Sequence, residues 1–197
     1  MLTHHYKAVL AQRTRYVTVV LEDLFQEHNA SAALRTCDIF GVQDVHVVEG
    51  KYAFKANPMI AMGSAKWLNV TSSPSIDDTI TCLKNNGYRI VATTPHTDSY
   101  LLPELPVNQK IALIFGSEQT GLSAEAMAHA DMFVKIPMYG FVESFNVSVS
   151  VALCLYDIIT RLHQSNLPWQ LSDEEKQDVL LQWIMRSSKT AESMIKK

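Results

Sequence analysis

Little in this chain of 197 residues suits metal, disulfide or membrane chemistry. Cysteine is scarce. Cys37, Cys82 and Cys154 stand far apart, lack metal-ligand spacing and leave an odd thiol, which argues for a reducing compartment and against a zinc site. No apolar run approaches a membrane span, and the opening MLTHHYKAVLAQRTRY has no signal-peptide core. The expectation is a soluble cytoplasmic protein with no metal and no membrane partner. Neither GxGxxG nor a Walker loop occurs, so a dinucleotide oxidoreductase and a nucleoside triphosphatase both lack their motif. Internal repeats, low-complexity tracts and an interdomain linker are missing as well.

A general surplus of positive charge is also lacking: the net charge is −3, which taken alone does not favour nucleic acid. The distribution is more informative. Lys7, Arg13 and Arg15 stand in residues 1–15 without an acid, and Arg186, Lys189, Lys196 and Lys197 follow Met185 against Glu192. An acidic body with two basic ends results. Lys7, Arg13, Arg15, Arg186 and Lys189 are therefore candidate phosphate contacts, with solvated termini as the competing account.

Between the ends, short β-branched runs alternate with helical stretches. Residues 16–21, 44–48, 68–71, 88–93, 111–115 and 132–136 read as strands. Residues 30–40, 75–85, 123–130 and 145–163 read as helices, the last with Val147, Val151, Leu155, Ile158 and Leu162 at helical spacing. Such alternation predicts an α/β fold, a mostly parallel sheet with helices on both faces. Ligands of such sheets bind beyond the carboxyl ends of the strands. After Pro168, Ser172 and Glu175 form a capping box that opens a further helix. Its Val179, Leu180, Trp183 and Ile184 must pack on the body or on a second subunit.

Three polar clusters sit at element ends. In HNASAALRTCDIFGV, Asn29 is placed as an N-cap and Gly41 as the helix stop. Arg35 lies mid-helix, where Asp38 offers an ordinary ion pair. In IALIFGSEQTGL, a buried-type strand enters a loop bracketed by Gly116 and Gly121 that contains Glu118, and the glycines let backbone amides approach a ligand. In IPMYGFVESFNVSVSVALCLY, Ser144 stands where an N-cap is wanted and Asn146 follows, so their side chains and the free N–H groups of the helix can converge on one spot.

In this order and with this content, the clusters closely resemble the three motifs of the SPOUT superfamily, and within it the SpoU or TrmH family of RNA ribose 2′-O-methyltransferases. The resemblance spans about residues 16–164 and includes GSAKWL at residues 63–68. It implies S-adenosylmethionine as cofactor, a C-terminal deep trefoil knot and a homodimer. Knot loops would lie around Thr94, residues 116–121 and residues 136–146. Adenosine would be held near Thr94, Gly116, Ile136, Met138 and Phe145, the last replacing a leucine usual in the family. The family pattern places Arg35 at the reacting hydroxyl, with Asn29, Glu118, Ser144 and Asn146 shaping the pocket.

The flanks narrow the resemblance. A basic helical extension over 1–15, a methyltransferase domain over 16–166 and a helical extension over 167–197 look most like the transfer-RNA enzymes that methylate the D-loop guanosine. Members acting on the wobble ribose or on ribosomal RNA are the alternative, and a non-catalytic RNA-binding protein of the same fold is the alternative of another class.

Overall fold

The computed structural model describes residues 2–50, 54, 57–95 and 99–195. Seven parallel strands form one sheet: β1 (Val17–Glu22), β2 (Asp44–Val48), β3 (Asn69–Ser73), β4 (Arg89–Thr93), β5 (Tyr100–Leu101), β6 (Ile111–Phe115) and β7 (Met132–Lys135). Their order is β3-β2-β1-β6-β4-β7-β5. Every residue of β1 and of β6 is buried, as strands covered on both faces require. The edges are β3, which is polar and partly exposed, and the two-residue β5, too short to recruit another strand. Among the described residues no helix is long and apolar enough to cross a membrane.

Alternation along the central strands divides the core. Val17, Val19 and Leu21 face α2 (Glu27–Ile39) and α6 (Val147–His163), whose Leu34, Cys37, Val151 and Leu155 are fully buried. Val20, Ile90 and Ile114 face the other way, onto α4 (Ile76–Asn85) and α5 (Ala124–His129). The apolar stripe read in α6 is its core face: Val147, Val151, Leu155, Ile158 and Leu162 are all buried. Gly41 ends α2 at φ +75, where a β-carbon would stand 2.3 Å from the Gln12 carbonyl oxygen.

Two caps differ from expectation. Helix α2 begins at Glu27, before Asn29, with Gln26 at the cap position and no side-chain cap bond. Asn29 is thus inside the first turn, and buried. Helix α6 begins at Val147, and Asn146, not Ser144, caps it by accepting from the Ser148 N–H at 2.8 Å. The short helix α3 (Pro58–Ala61), capped by Asn57, was not anticipated.

The chain ends meet each other. Helix α1 (Leu2–Leu10) packs on α7 (Asp173–Ile195), with Tyr6, Leu10, Leu171, Val179 and Trp183 buried together. The rings of Tyr6 and Trp183 each lie edge-on to Trp67, at 5.6 and 5.5 Å between centroids. The capping box of α7 closes both ways: Glu175 accepts from the Ser172 N–H at 2.8 Å, and the Ser172 hydroxyl from the Glu175 N–H at 3.2 Å. The body, not a second subunit, takes up Val179 and Trp183.

Candidate active site

Beyond the carboxyl ends of β4, β6 and β7 lies a cleft of about 660 Å³. Thr94, Gly116, Ile136, Met138 and Phe145, the five residues expected around an adenosine, all line it. The parallel sheet explains much of the convergence, because Thr94, Gly116 and Ile136 directly follow β4, β6 and β7 and all strands point to one edge, while Met138 and Phe145 come from the loop between β7 and α6. At Gly116 the loop folds back so tightly that a β-carbon would lie 2.2 Å from the Gly121 carbonyl. Only glycine fits there. Ser117 and Gly121 close the turn with mutual backbone bonds of 3.2 and 2.9 Å.

Asn29, Glu118 and Asn146 come together at this cleft although they lie on three separate motifs. The Asn146 amide nitrogen donates to the Asn29 carbonyl oxygen at 2.9 Å, and the Asn29 amide nitrogen donates to a Glu118 oxygen and to Gln26 Oε1, the latter at 3.1 Å. The direction of the chain is dictated from both ends. Asn146 Oδ1 must accept from the Ser148 N–H, which turns its amide nitrogen toward Asn29, while the Glu118 carboxylate can only accept. Asn29 is 1% exposed, so the middle of this bridge is shielded from water, while Glu118 and Asn146 at its ends are exposed.

Ser144 lines the cleft but lies in the exposed loop before α6. Arg35 is not part of the cleft of its own chain. Six residues after Asn29, it is roughly 240° farther round the helix and faces outward. It is exposed and makes no ion pair among the described residues. Asp38 does not serve it: that carboxylate takes the guanidinium of Arg13.

Most of the expected phosphate contacts are engaged internally. Arg13 is 2% exposed, bonded to Asp38 and to the Val42 carbonyl at 3.2 Å, with its guanidinium 5.1 Å from the Trp183 ring centre. Arg15 pairs with Asp44 at 2.9 Å and Glu175 at 3.1 Å. Burial works against its charge, but those two carboxylates outweigh the burial and hold the guanidinium above its ordinary value. Arg186 donates to the Leu68 and Lys66 carbonyls at 2.7 and 3.0 Å. Lys7 remains exposed on α1, and the Lys189 side chain lies outside the described residues.

Two neighbours of the site were not singled out from sequence. Gln26 braces Asn29, and Lys135 is the cationic side chain in the cleft wall. The signal for Lys135 was its place at the carboxyl end of a strand. Cys154 also lines the cleft, but burial pushes its thiol up to about 12, so it is no nucleophile at neutral pH. Among the described residues no group of three His, Cys, Asp or Glu could hold a metal ion.

The cleft suits a nucleoside-sized cofactor: the volume lies in the small-molecule range, the walls are mixed, and backbone is exposed at Gly116 where no side chain intervenes. Fold and site together define a parallel-sheet α/β protein built to hold such a ligand beside a preorganised amide and carboxylate cluster. Residues 16–156 match the family model described as the SpoU rRNA Methylase family, and the chain belongs to that family. It is 46% identical over 175 residues to the tRNA (guanosine(18)-2′-O)-methyltransferase of Borreliella burgdorferi, covering 89% of this chain and 80% of that one. The crystal structure of the A. aeolicus TrmH/SpoU tRNA modifying enzyme superposes with a TM-score of 0.84 at 33% identity, covering 94% of this chain and 98% of that one. A likeness of fold extends to the Streptomyces viridochromogenes SpoU methyltransferase AviRb in complex with AdoMet, with a TM-score of 0.71 at 22% identity, covering 79% and 64% of the two chains.

Proposed function

We propose that this protein methylates the ribose 2′-hydroxyl of guanosine 18 in transfer RNA, with S-adenosylmethionine held in the cleft by the backbone near Thr94, Gly116, Ile136, Met138 and Phe145. The observation that carries the reading is the hydrogen-bonded chain Asn146–Asn29–Glu118 beside that cleft. The cofactor supplies an electrophilic methyl group. The protein must hold a poor nucleophile in line with it, so positioning is the main demand. Glu118 and Asn146 line the cleft with Asn29 bonded behind them, and Ser144 stands on the same rim.

Arg35 clamps the phosphate and orients the hydroxyl; a guanidinium holds its protons too tightly to be a good base. Since it faces away from its own cleft, it serves the cleft of a second copy. Exposed apolar side chains on the same side, Ile39 on α2, Met59 on α3 and Val149 and Tyr156 on α6, support a homodimer through this face. The C-terminal part of the domain over 16–166 is threaded as a deep trefoil knot, flanked by helical extensions over 1–15 and 167–197. A transfer-RNA substrate puts the work in the cytoplasm.

Incubation with labelled S-adenosylmethionine and separate transfer- and ribosomal-RNA pools, followed by nucleoside analysis, tests the reading. The expected product is 2′-O-methylguanosine in transfer RNA. Base methylation as the sole product overturns it, and a wobble-position product overturns only the site. Sedimentation tests the dimer: the wild type should sediment as two copies and Tyr156→Glu as one.

A further inference from the structure

We infer that Glu22 is a positioning residue for the cleft loop 116–122, an inference that rests on the function proposed above. Glu22 ends β1 and is 4% exposed. Its carboxylate accepts two hydrogen bonds from Ser123, 101 residues away in the chain: from the N–H at 3.0 Å and from the hydroxyl at 2.6 Å. The Ser123 oxygen at the same time accepts from the Ala126 N–H at 3.0 Å, capping α5, so its one proton is committed to Glu22. A buried carboxylate bonded twice to a cap residue on another element needs an explanation, and the place of Ser123 supplies it.

Ser123 is the exit of the loop. The entrance, Gly116, continues β6 from the middle of the sheet, and the base is closed by the bonds between Ser117 and Gly121. The tip is held where Glu118 accepts from Asn29. Glu22 and Asn29 flank a single connection, from β1 to α2, so that one segment grips the loop at both its exit and its tip. This arrangement sets where the backbone of residues 116–121 stands in the cleft. A ligand recognised through backbone groups has no flexible side chains to absorb a displacement there, so loosening the exit lowers cofactor affinity more than it lowers RNA affinity.

The test is calorimetric titration of S-adenosylmethionine, with transfer-RNA binding measured in parallel, on the wild type, Glu22→Gln, Ser123→Ala, the double variant and Ser123→Thr. In Glu22→Gln the amide oxygen can still accept from the Ser123 N–H, but an amide nitrogen, which cannot accept, replaces the oxygen that takes the hydroxyl proton. Each of the first two variants should raise the cofactor Kd about tenfold, the equivalent of one charge-assisted hydrogen bond, and leave RNA affinity within about twofold. The double variant should bind no more weakly than the weaker single one, because both remove the same link. Ser123→Thr, which keeps the hydroxyl and the cap, should restore wild-type affinity. A lowered melting temperature with cofactor Kd unchanged in both single variants overturns the inference, and so does an additive double variant. Should Glu22→Gln not fold, Ser123→Ala against Ser123→Thr decides by the same criterion. A wild type that binds no cofactor overturns the proposed function itself, which is a different result from a wild type that binds alongside variants that bind equally well.

Discussion

Arg13 and Arg35 illustrate two regions of the molecule that use the same side chain in opposite ways. In the packed chain ends, Arg13 lies at 2% exposure between Asp38, the Val42 carbonyl and the Trp183 ring. On the outer face of α2, Arg35 is exposed and pairs with no acid among the described residues. The first closes a structure; the second is available to a phosphate or a hydroxyl. Charge counted along the chain makes the two ends look like RNA-binding arms, yet three of those cations stitch the ends to the body. What separates the three from Arg35 is that the fold supplies them with acceptors: carboxylates for Arg13 and Arg15, backbone carbonyls for Arg186.

The sharpest way to test that comparison is to remove each arginine. Arg35→Ala should lower single-turnover methyl transfer by at least about 100-fold, the scale for losing a group aimed at the reacting centre, while cofactor affinity stays within about twofold. Unchanged turnover would leave Arg35 a surface residue and erase the contrast. Arg13→Ala should act on stability instead. It strands Asp38 and opens space against Trp183, so unfolding free energy should fall by about 3 kcal/mol in denaturant titration, with turnover per folded molecule unaltered.

A finer test uses salt. Lys7→Ala should flatten the salt dependence of transfer-RNA affinity by about one unit of log–log slope, the signature of one lost phosphate contact. Arg15→Ala, by contrast, should leave the slope unchanged, since Asp44 and Glu175 already neutralise that guanidinium. A slope unchanged from wild type in both variants would mean that neither Lys7 nor Arg15 touches RNA.

The smallest expected effect is a pH dependence. Burial pushes the Glu175 carboxyl up, but the Ser172 N–H and the Arg15 guanidinium together outweigh it and hold the group below its ordinary value of 4.5. A depressed folded pKa gives stability that is complete above the unfolded value and is lost as pH falls through the folded one. Glu175→Gln should therefore lower stability by no more than about 1 kcal/mol at neutral pH, and the difference from wild type should shrink as pH falls below 4.5 and vanish once the carboxyl is protonated in the folded protein. A difference that persists in acid would assign Glu175 to packing and not to charge.

The caps show why part of the site was legible and part was not. Ser75, Ser123 and the Ser172–Glu175 pair act at helix starts, and local chemistry suffices for that. Asn29 and Ser144 satisfy the same local rule and are not caps. Asn29 is drawn into the first turn of α2 because its amide joins Glu118 and Asn146, which are 89 and 117 residues away. Asn146 takes the cap of α6 for the same reason: one side chain meets both the helix N–H and Asn29. Long-range partners override a local preference worth about 1 kcal/mol.

By itself the sequence determined the α/β alternation, the buried strand β6, the apolar face of α6, the stop at Gly41 and the glycine-bracketed loop over 116–121. Each follows from hydrophobic period, cap chemistry or backbone sterics within a few residues. Only the tertiary structure decided that Asn29, Glu118 and Asn146 share one hydrogen-bonded chain, that Glu22 reaches Ser123, and that Arg13, Arg15 and Arg186 are held inside while Arg35 is left outside. Those outcomes depend on which groups the sheet order brings within about 3 Å of one another, and hydrogen bonds and ion pairs fall off too steeply with distance and angle for residue spacing alone to foretell them.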